Sequence, residues 1–349
     1  MTSARSGFSH PPLQADWIDA PHQCLALGDL QLESGEHIAE CFLSYVVHGK
    51  LAADRNNAVL SVSAIGSTHH RLDFLIGPGR ALDTDRYCVI CVDALGNGLS
   101  SSPSNSGRQP HEAFPRFFIR DMVETQRRLV QEHLRINRLH AVVGASMGGM
   151  QALQWGVSHP QLMTHIVAMT PMARTTPWSA AINAAARGAL MADPAWAMPG
   201  HLSRGFAGWV PLMQLVSGRT PAALREEYAL AGDVGTWTAA RLAWQEAQGL
   251  AAIDWIWQSY AYDAHDVGTT PGYGGDTARA LAAIRARTQV LASPLDLYNP
   301  TYAAREAAAG IAGAVFEEIP STRGHQSASA AREADGDWLN QTIGRFLDG

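Results

Sequence analysis

The chain has 349 residues and a formal net charge of −6, from 32 acidic and 26 basic side chains. These charges are spread along the chain with no basic block, which excludes nucleic acid from the expected partners, and no stretch approaches the roughly eighteen apolar residues of a membrane span. The length suffices for a substantial core, as one large α/β domain with an insertion or as two domains.

The N-terminal "MTSARSGFSHPPLQADW" has no uninterrupted apolar segment of the kind a secretory leader needs, so a soluble, cytoplasmic protein is expected. Short apolar, β-branched runs then follow: "CFLSYVV" at 41–47, "AVLSVSAI" at 58–65 and "YCVICVDA" at 87–94. Each has the length and residue types of a buried strand. The third contains Cys88 and Cys91 in a C-x-x-C spacing. On a strand, positions three apart point to opposite faces, so two ordinary buried cysteines are expected rather than a redox or zinc pair. Four cysteines, with no second C-x-x-C, build neither a disulfide framework nor a zinc site.

"RDMVETQRRLVQEHLRI" at 120–136 carries Met122, Val123, Leu129, Val130 and Leu134 on one stripe with charges opposite, the pattern of an amphipathic helix. The run "LHAVVGA" at 139–145 leads into a helix-like segment that closes at Pro160, and "HIVAMT" at 165–170 is the next strand. From about Pro171 to Gly275 the alternation stops. This stretch is alanine-rich and holds seven of the ten tryptophans: Trp178, Trp196, Trp209, Trp237, Trp244, Trp255 and Trp257. A helical insertion is expected there, packed on the main domain, a bound acyl chain or a second subunit. Strands resume with "TQVLAS" at 288–293 and "AVFEEI" at 314–319, and a helix-like "DWLNQTIGRFLDG" ends the sequence. The order implies an α/β fold, a doubly wound and mostly parallel sheet with a helical lid insertion. Its parts are a core over 1–170, a lid over 171–275 and the rest of the core over 276–349.

"VVGASMGGMQALQWG" at 142–156 sets Ser146 between Gly144 and Gly148 where a strand becomes a helix. An ordinary glycine-rich turn accounts for the glycines alone. The strand before and the helix after fit a nucleophile elbow, which exposes the serine hydroxyl at a sharp corner. A serine hydroxyl becomes a useful nucleophile only beside a base that takes its proton, itself held by a third group. In this architecture an acid and then a histidine follow the serine, on loops after late strands. Asp296 in "VLASPLDLYNP" and His325 in "IPSTRGHQSAS" occupy those places, at the carboxyl ends of strands where such sheets bind ligands. Asp263, Asp266 and Asp276 compete with Asp296 but belong to the insertion or its edge. His325 is preferred among the fourteen histidines for its place after the final strand. The backbone N–H groups of Met147, and of Ile65 in "SAIGSTHH", are the expected oxyanion donors, with His69 and His70 as further candidates for the pocket mouth. "YDAHDVG" at 262–268 has metal-ligand residue types but reads as a solvated turn.

Over nearly its whole length the chain resembles the α/β-hydrolase superfamily, and within it the homoserine O-acetyltransferase family. The resemblance is carried by "LSYVVHGKLAADRNNAVL", "IGPGRALDTDRYCVICVDALG", "RDMVETQRRLV", "VVGASMGGMQALQW" and "RTTPWSAAINAAARGALMADPAW". The last is similar to that family's arginine-bearing first insertion helix. The resemblance implies Ser146 as nucleophile, Asp296 as orienting carboxylate and His325 as base. The chain also departs from the pattern. The family's His-Ala-Leu-Thr-Gly oxyanion segment is here Ser63-Ala64-Ile65-Gly66-Ser67, and its Leu-Gly-Gly-Cys and Gly-Ser-Thr-Gly-Pro stretch is "LGNGLSSSPSNS". The family arginine that holds the homoserine carboxylate aligns with Val210 of "GFAGWVPLMQ", and the aspartate after the family's catalytic histidine is here Gln326.

A zwitterion entering a partly dry pocket needs both its charges matched. The expected substrate is therefore a small, mostly uncharged carboxylic ester, with Val210, Gln326 and Trp178 at the substrate and water resolving an acyl-enzyme. No metal or organic cofactor enters that scheme. The alternative is an acyl-CoA-dependent O-acyltransferase. A non-catalytic, ligand-binding use of the fold ranks last, because all three triad residues are present. The resemblance and the aromatic insertion also suggest a homodimer.

Overall fold

The computed structural model describes residues 11–198, 204–329 and 332–349. Residues 1–10 of the N-terminal stretch discussed above, and residues 199–203 of the insertion, lie outside the described residues. Eight strands among the described residues form one sheet: β1 (Gln23–Gln31), β2 (His37–His48), β3 (Ala58–Val62), β4 (Cys88–Val92), β5 (Leu139–Ala145), β6 (Met163–Met169), β7 (Arg287–Ala292) and β8 (Val315–Glu318). Their spatial order is β1-β2-β4-β3-β5-β6-β7-β8. Strand β2 pairs antiparallel with β1 and β4, and every other neighbouring pair is parallel.

The central strands β3, β4 and β5 are covered on both faces, which is why their sequences are apolar almost throughout instead of alternating. Cys88, Ile90 and Val92 face one hydrophobic layer, while Val89 and Cys91 face the other. Both cysteines are free thiols on opposite sides of β4, as their spacing on a strand requires.

The helices are α1 (Ile119–Arg127), α2 (Met147–Ser158), α3 (Pro177–Met191), α4 (Phe206–Met213), α5 (Pro221–Ala231), α6 (Val234–Ala247), α7 (Ala252–Asp263), α8 (Thr277–Ala282), α9 (Thr301–Ala309) and α10 (Glu333–Asp348). The long helix expected over 120–136 is regular only to Arg127 and continues as a wider turn over Arg128–His133. Its stripe survives the change, with Met122, Val123, Leu129 and Val130 buried.

Between β6 and β7 run α3 to α8, of which α3 to α7 form the insertion. Thr176 and Thr220 accept the N-cap bonds of α3 and α5, each followed by a proline in the first turn, where the missing N–H costs nothing. Trp209, Trp237, Trp255 and Trp257 are buried, whereas Trp178 and Trp244 are exposed. Helix α7 seals this insertion onto the sheet domain. Its Trp257 donates to the Phe114 carbonyl at 2.9 Å, and the Arg116 guanidinium lies 3.7 Å from the Trp257 ring centre and 3.6 Å from that of Tyr260. No helix among the described residues is long and apolar enough to cross a membrane.

Candidate active site

At the carboxyl end of β5 the backbone turns sharply: Ser146 has φ 58° and ψ −123°, and α2 begins at the next residue. Such a conformation costs about 1–3 kcal/mol for a residue with a side chain and persists only where the surroundings enforce it. The glycines are what let the neighbours close in. A Cβ on Gly144 would collide with the Gly148 carbonyl, one on Gly148 would lie 2.6 Å from the Val62 carbonyl oxygen, and one on Gly149 would lie 2.7 Å from that of Met169. The Ser146 N–H is held by the Met169 carbonyl at 2.9 Å.

Three loops at the same sheet edge converge on this corner. The Ser146 Oγ is 2.8 Å from His325 Nε2, and His325 Nδ1 is 2.7 Å from Asp296 Oδ2. An ionised carboxylate only accepts, so Nδ1 carries the proton and Nε2 is left to accept from the serine hydroxyl. The side chain of Asp296 is fully buried, and its Oδ1 accepts from the N–H groups of Tyr298 at 2.8 Å and Asn299 at 2.9 Å. The Tyr298 ring packs edge-on against the His325 imidazole at 5.1 Å between centres. Gly324 supplies the bend before His325. Its φ is +58°, and a Cβ there would lie 2.8 Å from the Leu295 carbonyl and 2.9 Å from Thr220.

The loop after β3 is fixed on both sides of Ile65. The Ala64 N–H donates to Ser67 Oγ at 2.9 Å, and the Gly66 N–H donates to Gln258 Oε1 of α7 at 2.8 Å. Gln151 of α2 donates to the Ser63 carbonyl at 2.9 Å and is itself held by Gln126, which also accepts from Trp155. Among the described residues, the N–H groups of Ile65 and Met147 have no acceptor. Gln258, Gln151 and Gln126 escape a reading of the sequence because nothing local marks a buried glutamine as a brace.

A family model described as "alpha/beta hydrolase fold" matches residues 71–200. The acetyl esterase MekB superposes with a TM-score of 0.89 at 27% identity, over 94% of this chain and 97% of its own. An acetylester hydrolase from Corynebacterium glutamicum does so with a TM-score of 0.88 at 26% identity, over 94% and 96%. The chain has the α/β-hydrolase fold. Among curated relatives, a homoserine O-acetyltransferase of Methanococcoides burtonii is 40% identical over 187 residues, which is 48% of this chain and 38% of that protein. The chain spans from about a third to a half of the length of the curated relatives it matches.

In this α/β-hydrolase fold a cavity of about 640 Å³ is lined by Gly66 and Gln326, the chain neighbours of Ile65 and His325, and by none of Ser146, Asp296 and His325 themselves. Gln326 lines this cavity. Val210 and Trp178 do not line this cavity. Val210 is buried in the same apolar cluster as Phe206, Trp209 and Met213, a packing position. Trp178 is 55% exposed, with its indole N–H donating to the Leu297 carbonyl at 2.8 Å. His70 lines the cavity wall, stacked on Trp17, while His69 is buried against Asp93 at 3.0 Å.

The "YDAHDVG" stretch is not a solvated turn. His265 is buried, and this burial together with the nearby Arg120 charge lowers its pKa to about 3, while Asp263 pairs with Arg187 at 2.6 Å. His22, His69 and Asp93 bring three ligand-type atoms within 4.8 Å of one another. Asp93 already accepts from Ser44 Oγ at 2.8 Å, Asn97 Nδ2 at 3.0 Å and the His69 N–H at 2.9 Å, so the group is knit together by its own hydrogen bonds.

Proposed function

We propose that the chain is a serine-dependent acyl-transfer enzyme whose reaction is hydrolysis of a small carboxylic ester. The observation that carries this reading is the unbroken hydrogen-bonded series Asp296–His325–Ser146 beside two N–H groups without acceptors. Ser146 Oγ attacks the acyl carbon as His325 Nε2 takes its proton, and Asp296 keeps the imidazole in the required tautomer and balances the imidazolium. The carbonyl oxygen becomes an anion facing the N–H groups of Met147 and Ile65. Collapse breaks the bond to the alcohol, which leaves with the proton returned by His325. Water then gives its proton to the same nitrogen and attacks the acyl-serine, and a second collapse releases the acid and restores the hydroxyl. No metal or organic cofactor takes part. Residues 1–170 and 276–349 act as the catalytic core, and 171–275 as its lid.

Hydrolysis is preferred to transfer because the whole-length likenesses at 26% and 27% identity are to proteins described as an acetylester hydrolase and an acetyl esterase, whereas that to a homoserine O-acetyltransferase of Bacillus anthracis is at 22%. It is preferred also because neither Val210 nor Gln326 supplies a charge for an amino-acid acceptor. Transfer from acyl-CoA to an alcohol is the second reading, favoured by the 40% identity to a homoserine O-acetyltransferase. Incubating the purified protein with p-nitrophenyl acetate, and separately with acetyl-CoA and homoserine while following free thiol, separates the two. The hydrolase reading predicts phenolate release and no homoserine-dependent thiol; thiol that appears only with homoserine overturns it in favour of transfer.

A further inference from the structure

Two cations line the same cavity as Gly66 and Gln326, with no ion-pair partner among the described residues. Arg71 lies in the helical turn His69–Leu75 that follows the Ile65 loop, and Arg241 lies on α6. Neither guanidinium has a hydrogen-bond or ion-pair partner among the described residues, and the remaining residues of the chain contain no aspartate or glutamate. The Arg241 Nε is a buried donor without an acceptor. Arg71 is half-buried at the cavity wall, and this burial lowers its pKa to about 10, so it remains charged at neutral pH.

None of the other charged groups on the same wall pairs with either arginine, and Arg219, Asp73 and Asp254 have partners of their own. Arg219 pairs with Glu227 at 2.7 Å. Asp73 accepts from the Ile18 N–H at 2.8 Å and faces His70 Nδ1 at 2.6 Å. Asp254 accepts from both the N–H and the hydroxyl of Ser104, and burial raises its pKa to about 7. Asp16 is exposed. A cation withdrawn from water without a partner is unfavourable, and arginine is the side chain best shaped to take carboxylate or phosphate oxygens in pairs.

We infer that Arg71 and Arg241 bind an anionic oxygen group, a carboxylate or a phosphate, on the part of the substrate that extends away from the scissile acyl group. The physiological ester is then charged rather than mostly uncharged, as the sequence alone suggested. The two arginines are absent from the family positions represented by Val210 and Gln326, so the charge is met at a different part of the pocket. This inference rests on the ester-hydrolase reading of Ser146.

The test uses three acetyl esters on one aromatic skeleton: 4-acetoxybenzoate, 4-acetoxyphenyl phosphate and methyl 4-acetoxybenzoate. Each is given to the wild-type protein and to the variants Arg71→Met, Arg71→Lys and Arg241→Met. Loss of a charge-assisted bond predicts that the Met variants lose roughly 10- to 100-fold more kcat/KM on an anionic ester than on the methyl ester, chiefly through KM, with Arg71→Lys partly restoring it. The arm that responds identifies carboxylate or phosphate. Equal effects on charged and neutral esters overturn the anion site and leave the hydrolase reading intact. If the folded wild-type protein cleaves none of the three, the hydrolase reading fails. The anion site is then decided by calorimetric binding of 4-hydroxybenzoate and 4-hydroxyphenyl phosphate to Ser146→Ala, which Arg71→Met must weaken by a similar factor if the site exists.

Discussion

Ser146 Oγ and His325 Nε2 stand 2.8 Å apart although 179 residues separate them in the chain. Strands β6 and β7 lie between β5 and β8 in the sheet, so the loop after β8 must fold back across two strands to reach the elbow. The positive φ of Gly324, seated against Leu295 and Thr220, is what turns it.

Replacing Gly324 by Ala tests that turn. The added Cβ meets the Leu295 carbonyl at 2.8 Å, a backbone atom that does not yield easily, and the left-handed conformation adds its own cost. We expect a loss of about 1–3 kcal/mol in stability, and a fall in kcat of roughly 10- to 100-fold as the imidazole moves off line. Denaturant melts and initial rates on p-nitrophenyl acetate measure the two effects. Unchanged kcat in the folded variant argues against a positional role for this glycine.

Asp296→Asn keeps the shape of the carboxylate and removes its charge. The amide offers its N–H₂ toward His325 Nδ1 and so favours the wrong tautomer, leaving Nε2 protonated and unable to accept from Ser146. A drop in kcat of about 10³- to 10⁴-fold is expected, with KM little changed. Less than a tenfold drop means that another carboxylate orients the histidine.

Burial lowers the pKa of His48, His140, His159, His165 and His265, and the shift is large at His265. Unfolded, its imidazole titrates near 6.5; folded, burial holds it down to about 3. Between those values the unfolded chain binds a proton that the folded protein does not, so stability is full above about pH 6.5 and falls as the pH drops, by up to about 1.4 kcal/mol per pH unit. The melting temperature should decline from pH 7.5 to pH 5, and His265→Gln should decline less steeply. Parallel curves for the two proteins contradict the assignment.

Much of this geometry is legible in the sequence because the fully buried strands announce themselves. Runs such as "AVLSV" and "CVICV" are buried at every position and apolar at all but Ser61, and the loops after β5, β7 and β8 carry Ser146, Asp296 and His325 in the order the fold requires. Strand β1 carries no such signal, since an edge strand with one wet face and irregular register around Gly28 has few consecutive apolar residues. Trp178 shows the opposite failure: a large aromatic in the insertion suggested the pocket, but the orientation of α3 turns it outward. The charge state of the cavity was likewise hidden. Whether Arg71 or Arg219 has a carboxylate beside it depends on which loops and helices meet, and no local pattern encodes that.

Acylation of Ser146 during turnover tests the central claim most directly. The protein is mixed with p-nitrophenyl acetate, quenched in acid within the first turnovers, and mapped by peptide mass spectrometry beside Ser146→Ala. We predict one acetyl group on the peptide containing Ser146, none on that peptide in the variant, and a variant rate reduced by roughly 10⁴-fold or more. Sustained turnover by Ser146→Ala, or an acetyl group carried on another residue through the catalytic cycle, contradicts the account.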